Sequence, residues 1–383
     1  MNQFLSKFNK QFYFQLSLYL FVNALFILKY IPRAGANGIA ILFSYLLVVI
    51  AGVILFKKNA IKLPEKTFKI AYLILIALMV IIIAISLIYI DRYTVRVDRW
   101  SAVTFFLDGL FNGQYPYGIH THVSETNFPS PFPVWHFLNI PFYLLGDVGI
   151  GLIFFLILVT ISIQVNFRSY RKSFFFLLLL FISPAYWWEV AVRSDSLSNA
   201  FLIFVFILWW IKKRKTLEHN FLFAIIVCGL LASTRLSAII PIALFLFKPY
   251  WNLSWKRKII FPIGILIVIA ITFSPFVFWD TTDWVFFSRN PFMSQTSVGN
   301  TYVLGGLILL GIVFGLIWNN YNQFFFATST FLFIFMLISQ LSLVLTRGVD
   351  GSVFTDSLYD VSYFSLILPY SIFFLSEKTQ MYN

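Results

Sequence analysis

The chain has 383 residues, 60% of them hydrophobic and only 11% charged, and its mean hydropathy is +0.85. A soluble domain of this length would carry about 25% charged residues and amphipathic stripes, and an outer-membrane barrel would show short segments of alternating hydrophobicity; neither pattern is present. The net charge of +13 would suit a nucleic-acid binder, but the basic residues sit in short clusters between apolar runs and read as membrane anchors instead.

A helical span needs about 20 mostly apolar residues to cross ~30 Å of hydrocarbon. In chain order, spans are predicted near 12–31, 37–56, 69–90, 147–166, 173–187, 197–213, 219–234, 236–249, 259–278, 302–318, 323–345 and 361–376, about twelve in all. The expected fold is therefore an all-α polytopic membrane protein, read as a single domain over 1–383. The first run lacks a small-residue cleavage site and is soon followed by a second, so it is expected to stay as an anchor. The single cysteine, Cys228, lies in an apolar run and offers neither a disulfide framework nor a thiolate metal site. No internal repeat of the kind found in many transporters is visible.

The third span, ending at Ile90, is followed by the longest polar excursion, 91–146. Trp100 to Phe111 reads as a helix, and NGQYPYG (112–118) reads as a turn. HTHVSETNFPSPFP (120–133) is irregular, and VWHFLNIPFYLLG (134–146) is apolar but too short to span, which suits an interfacial helix. With the N-terminus cytoplasmic, 19 Lys and Arg fall inside and nine outside, whereas three Asp and Glu fall inside and twelve outside. The Lys/Arg bias puts both termini in the cytoplasm and the 91–146 region outside, in a plasma or inner membrane.

The outer side also carries the unusual chemistry. Asp91, Arg92, Arg96, Asp98, Arg99 and Asp108 crowd the start of the excursion. Asp98 stands beside Trp100 and the Phe105/Phe106 pair. An apolar roof of that kind raises a carboxylate toward the working pH of a general base. Asp98 could equally cap the following helix or pair with Arg99. Asp91 competes for the base position but stands at a span end. Arg193 and Arg235 are candidate phosphate clamps, because a guanidinium matches phosphate oxygens in a fork. Arg347 is a third. Arg193 could instead pair with Asp195 or Glu189, and Asp195 could orient an arginine or hold a sugar hydroxyl. Tyr117, His120 and His136 are candidate substrate contacts. His120, His122, Glu125 and His136 are residue types that bind metals, but their spacing fixes no geometry, so neither metal nor cofactor is assigned. Tyr186, Trp187 and Trp188 read as an interfacial aromatic belt.

The stretches DRWSAVTFFLDGLFNGQYPY (98–117), FPSPFPVWHFLNIPFYLLG (128–146), RSDSLSNA (193–200) and ASTRLSAIIP (232–241) together resemble the GT-C superfamily of membrane glycosyltransferases. The likeness is greatest to the mannosyltransferase-like branches that use polyprenyl-phosphate sugars. It covers roughly residues 90 to 250, and Arg235 follows Ser233-Thr234 where relatives often carry Lys. The resemblance implies a first-loop aspartate as general base, a lipid-linked sugar phosphate as donor and a lipid-linked or cell-surface glycan as acceptor. It also implies inversion at the anomeric carbon on the outer face of the membrane, with 91–146 as a wall of the active site. A surface-polysaccharide polymerase, a lipid-carrier flippase and a secondary transporter remain open on the residues alone.

Overall fold

The computed structural model describes residues 2–57, 62–280, 282, 284–296, 301–354 and 361–377. Lys58, Asp283, Lys378 and the 355–360 part of the last outer loop, all used in the charge reading above, lie outside them. The described residues are helical and contain no strand. In lipid this is the open-chain solution, since only a helix satisfies every backbone N–H and C=O within its own segment.

Among the described residues seven helices are long and apolar enough to cross a membrane, and up to eight if one bent pair counts as a span. The protein is therefore an all-helical polytopic membrane protein. The seven are α1 (Asn2–Tyr30), α2 (Gly38–Lys57), α3 (Glu65–Tyr89), α6 (Ile150–Phe167), α9 (Asp195–Lys212), α12 (Trp255–Val277) and α16 (Tyr321–Val349). The bent pair is α7 (Tyr170–Phe181) and α8 (Pro184–Ala191), which meet at 64°. Shorter apolar helices are α10 (Phe221–Ala232), α11 (Leu236–Trp251), α15 (Thr301–Ile317) and the Val361–Glu377 segment, which ends in α17 (Leu368–Glu377). The polar excursion contributes α4 (Arg99–Phe111) and α5 (Pro133–Leu144), and two short pieces, α13 (Val285–Ser288) and α14 (Pro291–Thr296), follow α12.

The chain forms two compact units. The first comprises Met1–Ile82, Thr160–Glu189 and Ile317–Asn383. Its helices are joined by buried polar side chains, which supply direction where lipid removes the hydrophobic drive between helices. Gln15 of α1 donates from Nε2 to Thr330 Oγ1 of α16 at 3.1 Å and accepts at Oε1 from Ser329 Oγ at 2.9 Å. Asn23 stabilises the α7–α8 bend, where Pro184 cannot continue the hydrogen-bond ladder. Its Oδ1 accepts from Ser183 Oγ at 2.6 Å and from Ala185 N at 3.2 Å. Tyr186 is buried here and Trp188 stacks on Tyr30 at 3.5 Å. These two rings are packing partners rather than members of an open belt.

The second unit comprises Ile83–Val159 and Val190–Leu316. It holds the polar excursion together with α9 to α12. The Pro-rich stretch before α5 docks where α10 gives way to α11. Phe132 N donates to Thr234 O at 2.9 Å and Val134 N to Ser233 O at 3.1 Å. Gln295 of α14 ties the same place from the other side: it donates to Ser130 O and accepts from Leu236 N, an orphan donor at the start of α11.

Candidate functional site

The site is built at the starts of two helices in the second unit, α4 and α9. Asp98 occupies the N-cap position of α4, yet its side chain makes no cap hydrogen bond. Its carboxyl is only half-buried at the surface but is surrounded closely enough by protein to lose most of its hydration. That burial pushes its pKa up; the Arg99 guanidinium opposes this, the Asp195 carboxylate adds to it, and Arg235 opposes it. The same four groups therefore share one electrostatic neighbourhood.

Asp195 opens α9 and is 6% exposed. Arg235, extended at φ −161° in the break between α10 and α11 and 4% exposed, is its partner. Arg235 Nε donates to Asp195 Oδ2 at 2.9 Å, and Nη2 donates to the same oxygen. Two ions withdrawn from water are stable only when paired in this way, and removing one partner of a buried pair costs about 3–5 kcal/mol. The other oxygen, Asp195 Oδ1, is buried with no hydrogen-bond partner among the described residues. Arg99, 7% exposed, donates to Ser196 Oγ on the first turn of α9 and so draws the two helix starts together.

Arg193 pairs with Asp147, rather than with Asp195 or Glu189 as the sequence suggested. Its Nε donates to Asp147 Oδ2 at 3.0 Å, while Nη2 donates to Leu87 O at 2.8 Å and to Ile90 O at 3.1 Å. The side chain thus caps the orphan carbonyls at the end of α3, where a cation also suits the helix dipole. Its backbone is left-handed, at φ 49°, a conformation that costs of order 1–3 kcal/mol and is held by these three bonds. Asp147 was not among the sequence candidates. It carried a legible signal, because an aspartate two residues before Gly149 and just ahead of an apolar run is a helix-start pattern. Gly149 N donates to Asp147 Oδ1 at 2.7 Å.

Arg99, Arg193 and Asp195 line a narrow cleft with Trp135, Ser194 and Ser198 among others; it has room for about one water molecule, and Asp98 and Arg235 stand outside its lining. Trp135, Ser194 and Ser198 also went unnoticed in the sequence, since a Trp in an apolar helix and serines beside a charge pair look like packing and capping.

The remaining candidates lie elsewhere. Asp91 is exposed and its Oδ1 accepts from Tyr93 N at 3.0 Å, so it closes a local turn. Tyr117 and His136 are buried and both bond to the Pro131 carbonyl, at 3.2 Å and 3.0 Å. His136 stacks on Phe106 at 3.6 Å, and burial pushes its pKa down to about 3. Neither lines the cleft. His120 is exposed against Phe128. His122 Nδ1 meets Ser101 Oγ at 2.6 Å and Nε2 meets Val95 O at 3.0 Å, so this ring is committed to holding the loop to α4. Arg347 is exposed at the end of α16, in the first unit. Among the described residues no group of three His, Cys, Asp or Glu gathers to hold a metal, so His120, His122, Glu125 and His136 form no such site.

No family model matches the chain, and no curated protein or solved structure does.

Proposed function

We propose that the protein is a membrane glycosyltransferase of the GT-C type, with about twelve spans. In this reading it moves a hexose or pentose, such as mannose, from a polyprenyl phosphate to a lipid-linked or cell-surface glycan. The reaction takes place at the outer face of the inner or plasma membrane and inverts the anomeric centre. The observation that carries the reading is the convergence of Asp98, Arg99, Asp195 and Arg235 on one neighbourhood beside a cleft. The four residues come from chain segments almost 140 residues apart.

The chemistry asked of them is modest in parts. Asp98 takes the proton of an acceptor hydroxyl as its oxygen attacks the anomeric carbon; the bond from that carbon to the phosphate oxygen breaks, and polyprenyl phosphate leaves with the electron pair. A carboxylate whose pKa is raised by burial is a stronger base once ionised, and such a base supplies ~10²–10⁴ in rate. Arg235 and Arg193 are the phosphate clamps that the sequence suggests. Their forks are engaged by Asp195 and by Asp147 with the α3 carbonyls, so in this reading they hold the acidic wall in position.

The test uses purified protein in nanodiscs with polyprenyl-phosphate mannose and other polyprenyl-phosphate sugars, scoring sugar transfer. Asp98→Asn keeps size and hydrogen bonding but cannot accept the proton. Turnover should fall ~10²-fold or more while the fold survives. Asp91→Asn keeps the local turn and should be nearly silent. A fully active Asp98→Asn protein removes the base assignment, and wild-type protein inert toward every lipid-linked sugar removes the transferase.

A further inference from the structure

The ion pairs around Asp147 leave one positive charge over. Arg193 Nε holds Asp147 Oδ2 at 3.0 Å, and Arg92 Nη1 approaches the same oxygen only to 3.9 Å, beyond hydrogen-bond range. The other oxygen, Oδ1, accepts from Gly149 N. One carboxylate therefore faces two guanidinium groups, and Arg193 has the closer hold on it. Asp91, next to Arg92 in the chain, accepts at Oδ1 from Tyr93 N.

Arg92 is held in place without being satisfied. Trp100 Nε1 donates to the Arg92 carbonyl at 3.0 Å, which ties its backbone to α4. The guanidinium lies over the Trp100 ring, 4.8 Å from the centroid, and over Tyr93 at 5.5 Å, and those two rings meet edge to face. Stacking occupies the face of the guanidinium plane and leaves its N–H edge open. Among the described residues that edge makes no hydrogen bond, and the side chain is 31% exposed. A fork fixed in this way loses little freedom when it closes on a ligand.

Position narrows the ligand. Arg92 stands just past the end of α3. Ile88 and Tyr89 of the last turn and Tyr93 beyond it are exposed, which suits the level where a span passes from hydrocarbon to headgroups and Tyr is enriched. The anion that a bilayer presents at that depth is a lipid phosphate, and a guanidinium edge matches two of its oxygens. Arg193 and Arg235, with their forks engaged by carboxylates, leave that role open.

We propose that Arg92 is a lipid-phosphate site. Its fork takes the phosphate of a lipid whose chain lies along the exposed flank of α3, and that phosphate neutralises the charge left over at Asp147. The inference rests on the transferase reading only in naming that lipid as the polyprenyl-phosphate donor.

The experiment is native mass spectrometry of the purified full-length protein, with polyprenyl phosphate, polyprenol and phosphatidylglycerol as probes and inorganic phosphate as competitor. Wild type should hold at least one of the two phosphate lipids about tenfold or more tightly than polyprenol, the size of one charge-assisted contact. Arg92→Gln should lose that preference. Arg92→Lys should keep part of it, because lysine retains the charge without the fork. Arg96→Gln, at an exposed arginine of the same loop, should behave as wild type. If Arg92→Gln does not fold, Arg92→Lys carries the test. No preference for phosphate in wild type, a preference intact in the Arg92 variants, or an equal loss in Arg96→Gln would overturn the proposal. Displacement of the lipid by an equal concentration of inorganic phosphate would overturn it too, since the chain would then contribute nothing. A preference for phosphatidylglycerol alone supports the site and gives it to a membrane phospholipid; one for polyprenyl phosphate gives it to the donor. The same preparations are assayed for sugar transfer. A preference that Arg92→Gln loses, in a protein that transfers nothing, supports the site and ends the transferase reading. Transfer with an unchanged donor KM in that variant keeps the transferase and leaves the site to a phospholipid.

Discussion

At the scale of the residue, Asp98 is where function and stability oppose each other. Burial raises its pKa, so the folded chain keeps this proton at a pH where the unfolded chain has released it. The stability contributed by the neutral form is complete below the ordinary carboxylate pKa, ~3.9, and is lost as pH rises through the raised folded value. Asp98→Asn never ionises and escapes that loss. It should melt a few degrees above wild type at neutral pH, with the gap closing as pH falls toward ~4. Tryptophan fluorescence melts across that range check it. A variant that melts lower at neutral pH would mean that ionised Asp98 stabilises the fold through Arg99 and Arg235. The sequence named Asp98, Asp195, Arg193 and Arg235 as unusual because charge beside apolar runs is costly. It could not say who pairs with whom. Arg193 has Asp195 two residues away and Glu189 four away, yet bonds to Asp147, 46 positions earlier.

At the scale of the element, apolar runs are legible because a span must be long and apolar, and breaks are legible where Pro or a charge interrupts the run. The run from Phe221 to Phe247 does break at Arg235, between α10 and α11. How closely helices approach is less legible. α10 and α12 pack through glycines: a Cβ on Gly229 would sit 2.6 Å from Val268 Cβ, and one on Gly264 would sit 2.7 Å from Ile225 Cγ2. Small residues permit this approach in lipid, where dispersion drives association. Gly229→Ala should therefore cost about 1–3 kcal/mol by overpacking and lower the melting temperature. Gly52→Ala, in α2 with nothing within 4 Å of the new methyl, should leave it unchanged or slightly higher, since alanine is the better helix former. Equal melting of the two variants would count against the close α10–α12 packing.

At the scale of the whole molecule, orientation follows from charge rather than from packing. With the twelve spans expected from the sequence, 19 Lys and Arg would fall on the N-terminal side and nine on the other, which predicts that the polar excursion and the α9–α10 connection face opposite sides. Cysteines introduced singly at Glu125 and Lys213, both exposed, should react with a membrane-impermeant thiol reagent from opposite sides of sealed vesicles. Cys228 is buried at 2% exposure and should stay silent. Labelling of both sites from one side would overturn the orientation.

Composition by itself determined that this is a helical membrane protein, because 60% hydrophobic residues in long runs can bury their backbone in lipid only as helices. It also located the acidic and basic residues worth attention. The tertiary structure decided the rest, since pairing and burial are properties of distance in space. It took Tyr117 and His136 into an aromatic core, gave Asp91 a turn to close, and gave Arg193 and Arg235 carboxylates to hold. It set Trp135 and Ser194 beside Asp195 around a cleft. Hydropathy along a chain reports which segments leave water; which polar atoms then lack a partner depends on what the fold brings beside them.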